Sequence, residues 1–175
     1  MNTLLIAGAA LMVASLWNGK NLRAVMTMTG AGWHNLHPEV KTRAIRVLER
    51  AAAEFAHDGL MVGIFEGWRS VDTQRNKIAT GDSFVSNPLS SYHSWGLAVD
   101  FVFLHGPGLW TWEPTGDEVI DRALWERLGL IIESEGFEWG GRWKTFDGPH
   151  AQLPLMRSAQ LIEKYSAPEA YITWA

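Results

Sequence analysis

Apolar residues recur every three or four positions from Val40 through Ala44, Val47, Leu48 and Ala51 to Phe55. That spacing lays them along one face of a helix. Pro38 suits its first turn, the helix is predicted over 38–56, and Gly59 stops it. "LMVGIFEG" (60–67) then reads as a buried strand. "WRSVDTQRNKIATG" (68–81) reads as a turn and a short helix capped by Ser70 or Asp72. Residues 80–92, rich in Ser, Asn and Pro, form a loop leading into a strand over 97–103. The connection from 105 to 116 is long for a compact domain, which marks it for function. A helix over 117–134 is predicted to turn Val119, Ile120, Leu124, Leu128 and Ile131 inward. "FEWGGRWKTFDGPHAQL" (137–153) reads as a hairpin or two short strands around Gly140 and Gly141, and a last helix covers 155–165. Helices interleaved with hairpin-like connections argue for an α+β fold, a small antiparallel sheet flanked by helices.

The chain of 175 residues is long enough for one core, and no repeat or linker divides residues 31–175. A net charge of -4 argues against nucleic acid as the main partner, since no basic field is available. With no cysteine, disulfides and thiolate sites are excluded, so any metal must be held by histidine and carboxylate. Ten tryptophans are mostly core residues by expectation, with a minority lining a groove. Residues 1–30 form a separate apolar segment. Its run over residues 4–17 is shorter than a comfortable membrane span, has no Lys or Arg before it, and is followed by Lys20 and Arg23. An export anchor with transient membrane association, a helix docked on the domain and an uncleaved signal peptide all fit that run.

The strand over 97–103 carries an anomaly. Val99, Phe101 and Phe103 share the face that looks like core, while Ala98, Asp100 and Val102 share the other. A carboxylate in an apolar strand is costly unless something pairs or coordinates it. Gly96 allows a sharp turn that folds His93 back toward Asp100. Farther on, "DGPHAQL" offers Asp147, His150 and Gln152, the last two on one strand face. Two histidines and an aspartate make a sound zinc set, leaving a fourth position for water, with Asp147 as general base. Each motif alone is weak: a lone histidine is more often structural, and Asp100 alone fits a turn cap or an arginine partner.

Together, "SYHSWGLAVD" and, some fifty residues on, "WGGRWKTFDGPH" resemble the zinc peptidases of the LAS group. That group comprises D-alanyl-D-alanine carboxypeptidases and dipeptidases and the L-alanyl-D-glutamate endopeptidases of phage lysins and bacilli. The family pattern falls on Ser91, His93, Gly96, Ala98 and Asp100, then on Asp147, Pro149 and His150. An arginine after a Gly-aromatic pair falls on Gly67, Trp68 and Arg69, with Gln74 in the helix behind. The resemblance implies a zinc site in a cleft on the sheet, with ligands His93, Asp100 and His150. It further implies Asp147 as catalytic base, Arg69 as the group that fixes a substrate carbonyl or carboxylate, and Ser91, Trp139 and Gln152 near the substrate.

The function expected is hydrolysis of the L-alanyl-D-glutamate bond of peptidoglycan stem peptides by a single-domain, monomeric enzyme of the phage-endolysin kind. It would act on periplasmic or cell-wall murein after export or release. A D-alanyl-D-alanine carboxypeptidase or dipeptidase is the alternative enzyme, and a non-catalytic zinc-binding module the alternative of another class. The presence of both Asp147 and Arg69 favours catalysis. Glu138 is a rival acid to Asp147, and Glu66 reads as a strand-end salt-bridge partner. His34, His37, His57 and His105 read as polar residues without a site.

Overall fold

The computed structural model describes residues 32–106, 109–165, 167, 168 and 171. The apolar run over 4–17 lies outside the described residues. Helix α1 spans Pro38–Glu54, with Val40, Ala44, Val47, Leu48 and Ala51 buried as the periodicity predicts. His37 caps it, its Nδ1 accepting the Glu39 N–H at 3.2 Å. Strand β1 (Met61–Glu66) leads to α2 (Val71–Thr80), whose cap is Ser70, accepting from the Thr73 N–H. Two single turns of 3-10 helix, Pro88–Ser90 and Tyr92–Trp95, precede β2 (Ala98–Leu104). The long connection carries a two-residue strand, β3 (Trp110–Thr111), and ends at α3 (Glu118–Ser134). Short strands β4 (Glu138–Trp139) and β5 (His150–Gln152) form the expected hairpin, and α4 (Ser158–Tyr165) starts three residues later than its apolar pattern suggests.

The strand order is β1-β2-β5-β4, with β3 added to the free stretch of β2, and every pairing is antiparallel. Val99, Phe101 and Phe103 face a core built largely with α1 and α3, as the strand parity requires. The register of β1 against β2 slips between Ile64 and Glu66: Ile64 opposes Phe101 and Glu66 opposes Asp100, leaving Phe65 as an extra residue. This β-bulge puts Ile64 on the core face and Glu66 on the face of Asp100.

The inward face of α3 differs from the apolar reading. Leu124, Leu128 and Ile131 are buried, but Val119 and Ile120 are 79% and 50% exposed. The face is completed instead by Asp121, Trp125 and Ile132. Asp121 turns inward because its carboxylate accepts from the Thr115 N–H, the Thr115 hydroxyl and the Gly116 N–H, tying the end of the long connection to the helix. A pattern of apolar residues alone does not register a buried aspartate.

Candidate metal centre

His93, Asp100 and His150 reach one point from three segments. His93 sits in the turn before β2, and Gly96, at φ +68°, takes the left-handed conformation that folds this turn back. Asp100 and His150 are directly opposite each other in the β2–β5 ladder, so their side chains leave the same face. One ligand atom from each of the three lies within 4.8 Å of the others.

The hydrogen bonds around the rings decide what these atoms are. His93 Nδ1 lies 2.7 Å from the Gly67 carbonyl, which only accepts, so Nδ1 carries the hydrogen and Nε2 is bare. His150 Nε2 lies 3.1 Å from Gln152 Oε1, so it too carries the hydrogen and Nδ1 is bare. The two bare nitrogens face each other at 3.1 Å, and each is 3.2 Å from Asp100 Oδ1. Three acceptors at that spacing repel unless a proton or a metal cation lies among them. A tetrahedral ion with ligands at about 2.0 Å spaces its ligand atoms about 3.3 Å apart, close to the edges of this triangle. The residues fit a divalent metal such as zinc.

Charge around the triangle is arranged to keep the carboxylate ionised. Burial works against ionised Asp100, but the two imidazoles in their protonated form overcome it by charge and hydrogen bonds and hold its carboxyl well below the usual range. Burial pushes His93 below its ordinary value, whereas at His150 the opposing bond and charge of Asp100 outweigh burial and raise it. The second oxygen of Asp100 accepts from Arg69 Nη2 at 2.7 Å. Arg69 Nη1 bonds Gln74 Oε1 at 3.1 Å. Its Nε lies 3.0 Å from the Glu66 carboxylate but out of line for a hydrogen bond, and is buried without another partner among the described residues. Lys77 reaches the same carboxylate at 3.2 Å, which makes Glu66 the expected strand-end partner.

A cleft opens over the triangle. Its walls include Phe65, Tyr92, Trp112, Trp143, Asp147 and Gln152, with Arg69 and Ser91 also at its surface. Asp147 is held beside the triangle by its own N–H, bonded to the Gly140 carbonyl at 3.2 Å, and by its carbonyl, which accepts the His150 N–H at 3.3 Å. A Cβ on Gly140 would stand 2.6 Å from the Asp147 carbonyl oxygen, so glycine is required where these segments meet. Burial lifts the Asp147 carboxyl above its ordinary value, and neighbouring Asp100 adds to the lift.

Trp139, expected near the substrate, is 1% exposed and is not part of the cleft. Its ring lies where a Cβ on Gly129 or on Gly141 would come within 2.3 Å, and its indole N–H bonds the Gly148 carbonyl at 2.8 Å. It is core under the hairpin, and Trp143, four residues on, takes the cleft position. Gln152 borders the cleft, yet its amide is engaged by His150 and by Glu138. Glu138 is exposed, outside the cleft. His34, His57 and His105 take no part in the cluster.

The tryptophans of 105–116 and 138–143 are those expected to supply a minority to a groove, and Trp112 and Trp143 line the cleft, whereas sequence reasoning missed Phe65. Phe65 meets Trp110 and Trp112 at ring separations of 5.1 and 4.9 Å, and Trp112 stacks on core Trp125 at 6.5 Å. The length of the connection carrying Trp110 and Trp112 was the available signal.

Comparison with known proteins finds relatives of the chain. A family model described as D-alanyl-D-alanine carboxypeptidase matches residues 85–153. The peptidoglycan L-alanyl-D-glutamate endopeptidase CwlK of Bacillus subtilis (strain 168) is 34% identical over 146 residues, covering 78% of this chain and 82% of that protein. The L-alanyl-D-glutamate peptidase of Listeria phage A118 is 34% identical over 97 residues, 55% of this chain and 31% of its own length. The crystal structure of the Serratia marcescens L-Ala D-Glu endopeptidase ChiX aligns with a TM-score of 0.48 at 31% identity, over 69% of this chain and 81% of that one.

Proposed function

The chain belongs to the M15 metallopeptidase family, and from that premise we propose that it is a zinc-dependent peptidase of peptidoglycan, cutting the L-alanyl-D-glutamate bond of the stem peptide. The observation that carries the reading is the triangle of bare acceptors on His93, Asp100 and His150, each fixed from behind by a partner that settles which atom faces inward. These three are the proposed ligands. When bound there, zinc supplies Lewis acidity, acidifying a water and polarising a carbonyl.

Asp147 takes the proton from the attacking water and returns it to the leaving amine. Its burial makes the carboxylate a stronger base than an exposed aspartate, which suits a proton acceptor at neutral pH. Arg69 keeps Asp100 turned so that only Oδ1 faces the ligand triangle, and the guanidinium hydrogens not given to Asp100 and Gln74 remain for a substrate carbonyl. Phe65, Trp112, Tyr92 and Trp143 form the apolar walls against which a peptide backbone lies. Ser91, at the cleft surface beside the His93 turn, is assigned to orienting the substrate.

The carboxypeptidase description of the matching family model makes release of a terminal D-alanine the second reading. That reaction calls for a cation to receive a free carboxylate. The lysine and arginine of the cleft, Lys77 and Arg69, are both already paired with Glu66, and Arg69 also with Asp100. This supports internal cleavage. Murein lies on the outer side of the cytoplasmic membrane, so the chain must be exported or released to reach it.

Mass analysis of fragments that the purified protein releases from intact murein tests the proposal. New N-terminal D-glutamate on the released peptides, lost on chelation and restored by zinc, is the expected result. Free D-alanine as the only product would move the assignment to the carboxypeptidase.

A further inference from the structure

Glu138 is an exposed carboxylate that no lysine or arginine among the described residues pairs with. Two neutral donors are aimed at it instead: Trp143 Nε1 at 3.0 Å from Oε1 and Gln152 Nε2 at 3.2 Å from Oε2. We propose that Glu138 is a positioning residue that sets the tautomer of His150 through Gln152, and so prepares the metal site from outside the cleft. The inference rests on the metal-site reading above.

The argument is one of donors and acceptors. A carboxylate only accepts, so the amide of Gln152 must present its NH2 to Glu138 and its oxygen to His150. The oxygen, 3.1 Å from His150 Nε2, then requires the hydrogen on that nitrogen. Nδ1 is left bare, facing His93 Nε2 and Asp100 Oδ1. Without Glu138 the two faces of the amide become nearly equivalent. Flipped, the NH2 donates to Nε2 and drives the imidazole hydrogen to Nδ1, into the middle of the ligand triangle. The same carboxylate holds Trp143, whose ring centre lies 5.0 Å from that of His150 and limits its rotation. Glu138 lies outside the cleft, and its hydrogen bonds reach the site through these two side chains.

The test uses the full chain and two readouts other than turnover. Long-range 15N correlation of the zinc-free protein, at a pH where the ring is neutral, reports the His150 tautomer. Competition with a chelator reports zinc affinity. Wild type is expected to show the Nε2–H tautomer. Glu138→Ala is expected to populate the Nδ1–H form and weaken zinc binding by about 10–100-fold, with little change in melting temperature. Glu138→Gln, which keeps one oxygen for one of the two donors, is expected to fall between, and serves if the alanine variant folds poorly. Gln152→Leu should weaken zinc binding similarly, and adding Glu138→Ala to it should cost only the smaller part that acts through Trp143. An unchanged tautomer and affinity in Glu138→Ala would overturn the proposal. So would a full additional loss in the Gln152→Leu background, or Trp143→Phe reproducing the whole effect with Gln152 intact. The tautomer comparison needs no metal, so a wild-type chain that fails to bind zinc would count against the proposed function alone.

Discussion

Asp100 gives one carboxylate oxygen to two imidazoles and the other to Arg69, so Arg69 has consequences for both metal and fold. Arg69→Ala leaves Asp100 and Glu66 buried with less compensating charge, a loss worth about 3–5 kcal/mol when a buried pair is broken from one side. The variant should melt well below wild type and bind zinc more weakly; unchanged values in both would remove Arg69 from the support of Asp100. Asp147→Asn keeps the shape and removes only the proton acceptor. It should retain stoichiometric zinc and the wild-type melting temperature while turnover falls by about 10²–10⁴. Near wild-type cleavage by that variant would show that another group takes the proton. The proposed ligand trio was legible through the family resemblance of "SYHSWGLAVD" and "DGPH", since each motif alone is weak, and the fold brings the three side chains to one point. Trp139 is turned from the cleft by its register: it opposes Ala151 on the core face, and Gly129 and Gly141 leave the space its ring fills.

The elements followed the periodicity where their inward faces are wholly apolar, as in α1, and departed from it where a polar group is buried by its own bonds, as with Asp121 at the start of α3. Between those helices the packing is supplemented by charge. Glu135, just past the end of α3, accepts from Arg46 at 2.7 Å and Arg50 at 2.9 Å on α1, while its carbonyl accepts from Arg43. Hydrogen bonds from Arg50 and Arg46 hold its carboxyl below the ordinary value of 4.5. A depressed folded-state value means the stabilisation is present above about pH 4.5 and is lost as pH falls through the folded-state value. Glu135→Gln should therefore lower stability by about 1 kcal/mol at neutral pH. The gap from wild type should close on acidification, read from melting curves across pH. A gap independent of pH would mean the contact acts through packing. None of these cross-helix bonds was legible in sequence, since the partners stand about ninety residues apart.

At the scale of the molecule, the proposed ligands tie a turn, a central strand and the late hairpin to a single point. An ion bound only by the folded chain stabilises it by mass action, about 2.7 kcal/mol when free metal is a hundredfold above its dissociation constant. Chelation should lower the melting temperature, and the shift should grow with the logarithm of free zinc; melting indifferent to zinc would deny the ion a place in the fold. The bulge at Phe65 bears on the same molecule as a question of length. Removing one residue from a strand ordinarily reverses every side chain beyond the cut. Here Ile64 and Glu66 already oppose the neighbouring pair Phe101 and Asp100, so deleting Phe65 would leave Ile64 inward and Glu66 beside Arg69. Such a shortened chain should fold and keep zinc affinity within a few-fold of wild type, while KM for murein peptide rises because Trp112 has lost one of its aromatic neighbours and the cleft one of its walls. Phe65 is thus the position in β1 where the gene can lose a codon without the sheet losing count, and what holds the codon there is the wall of the cleft.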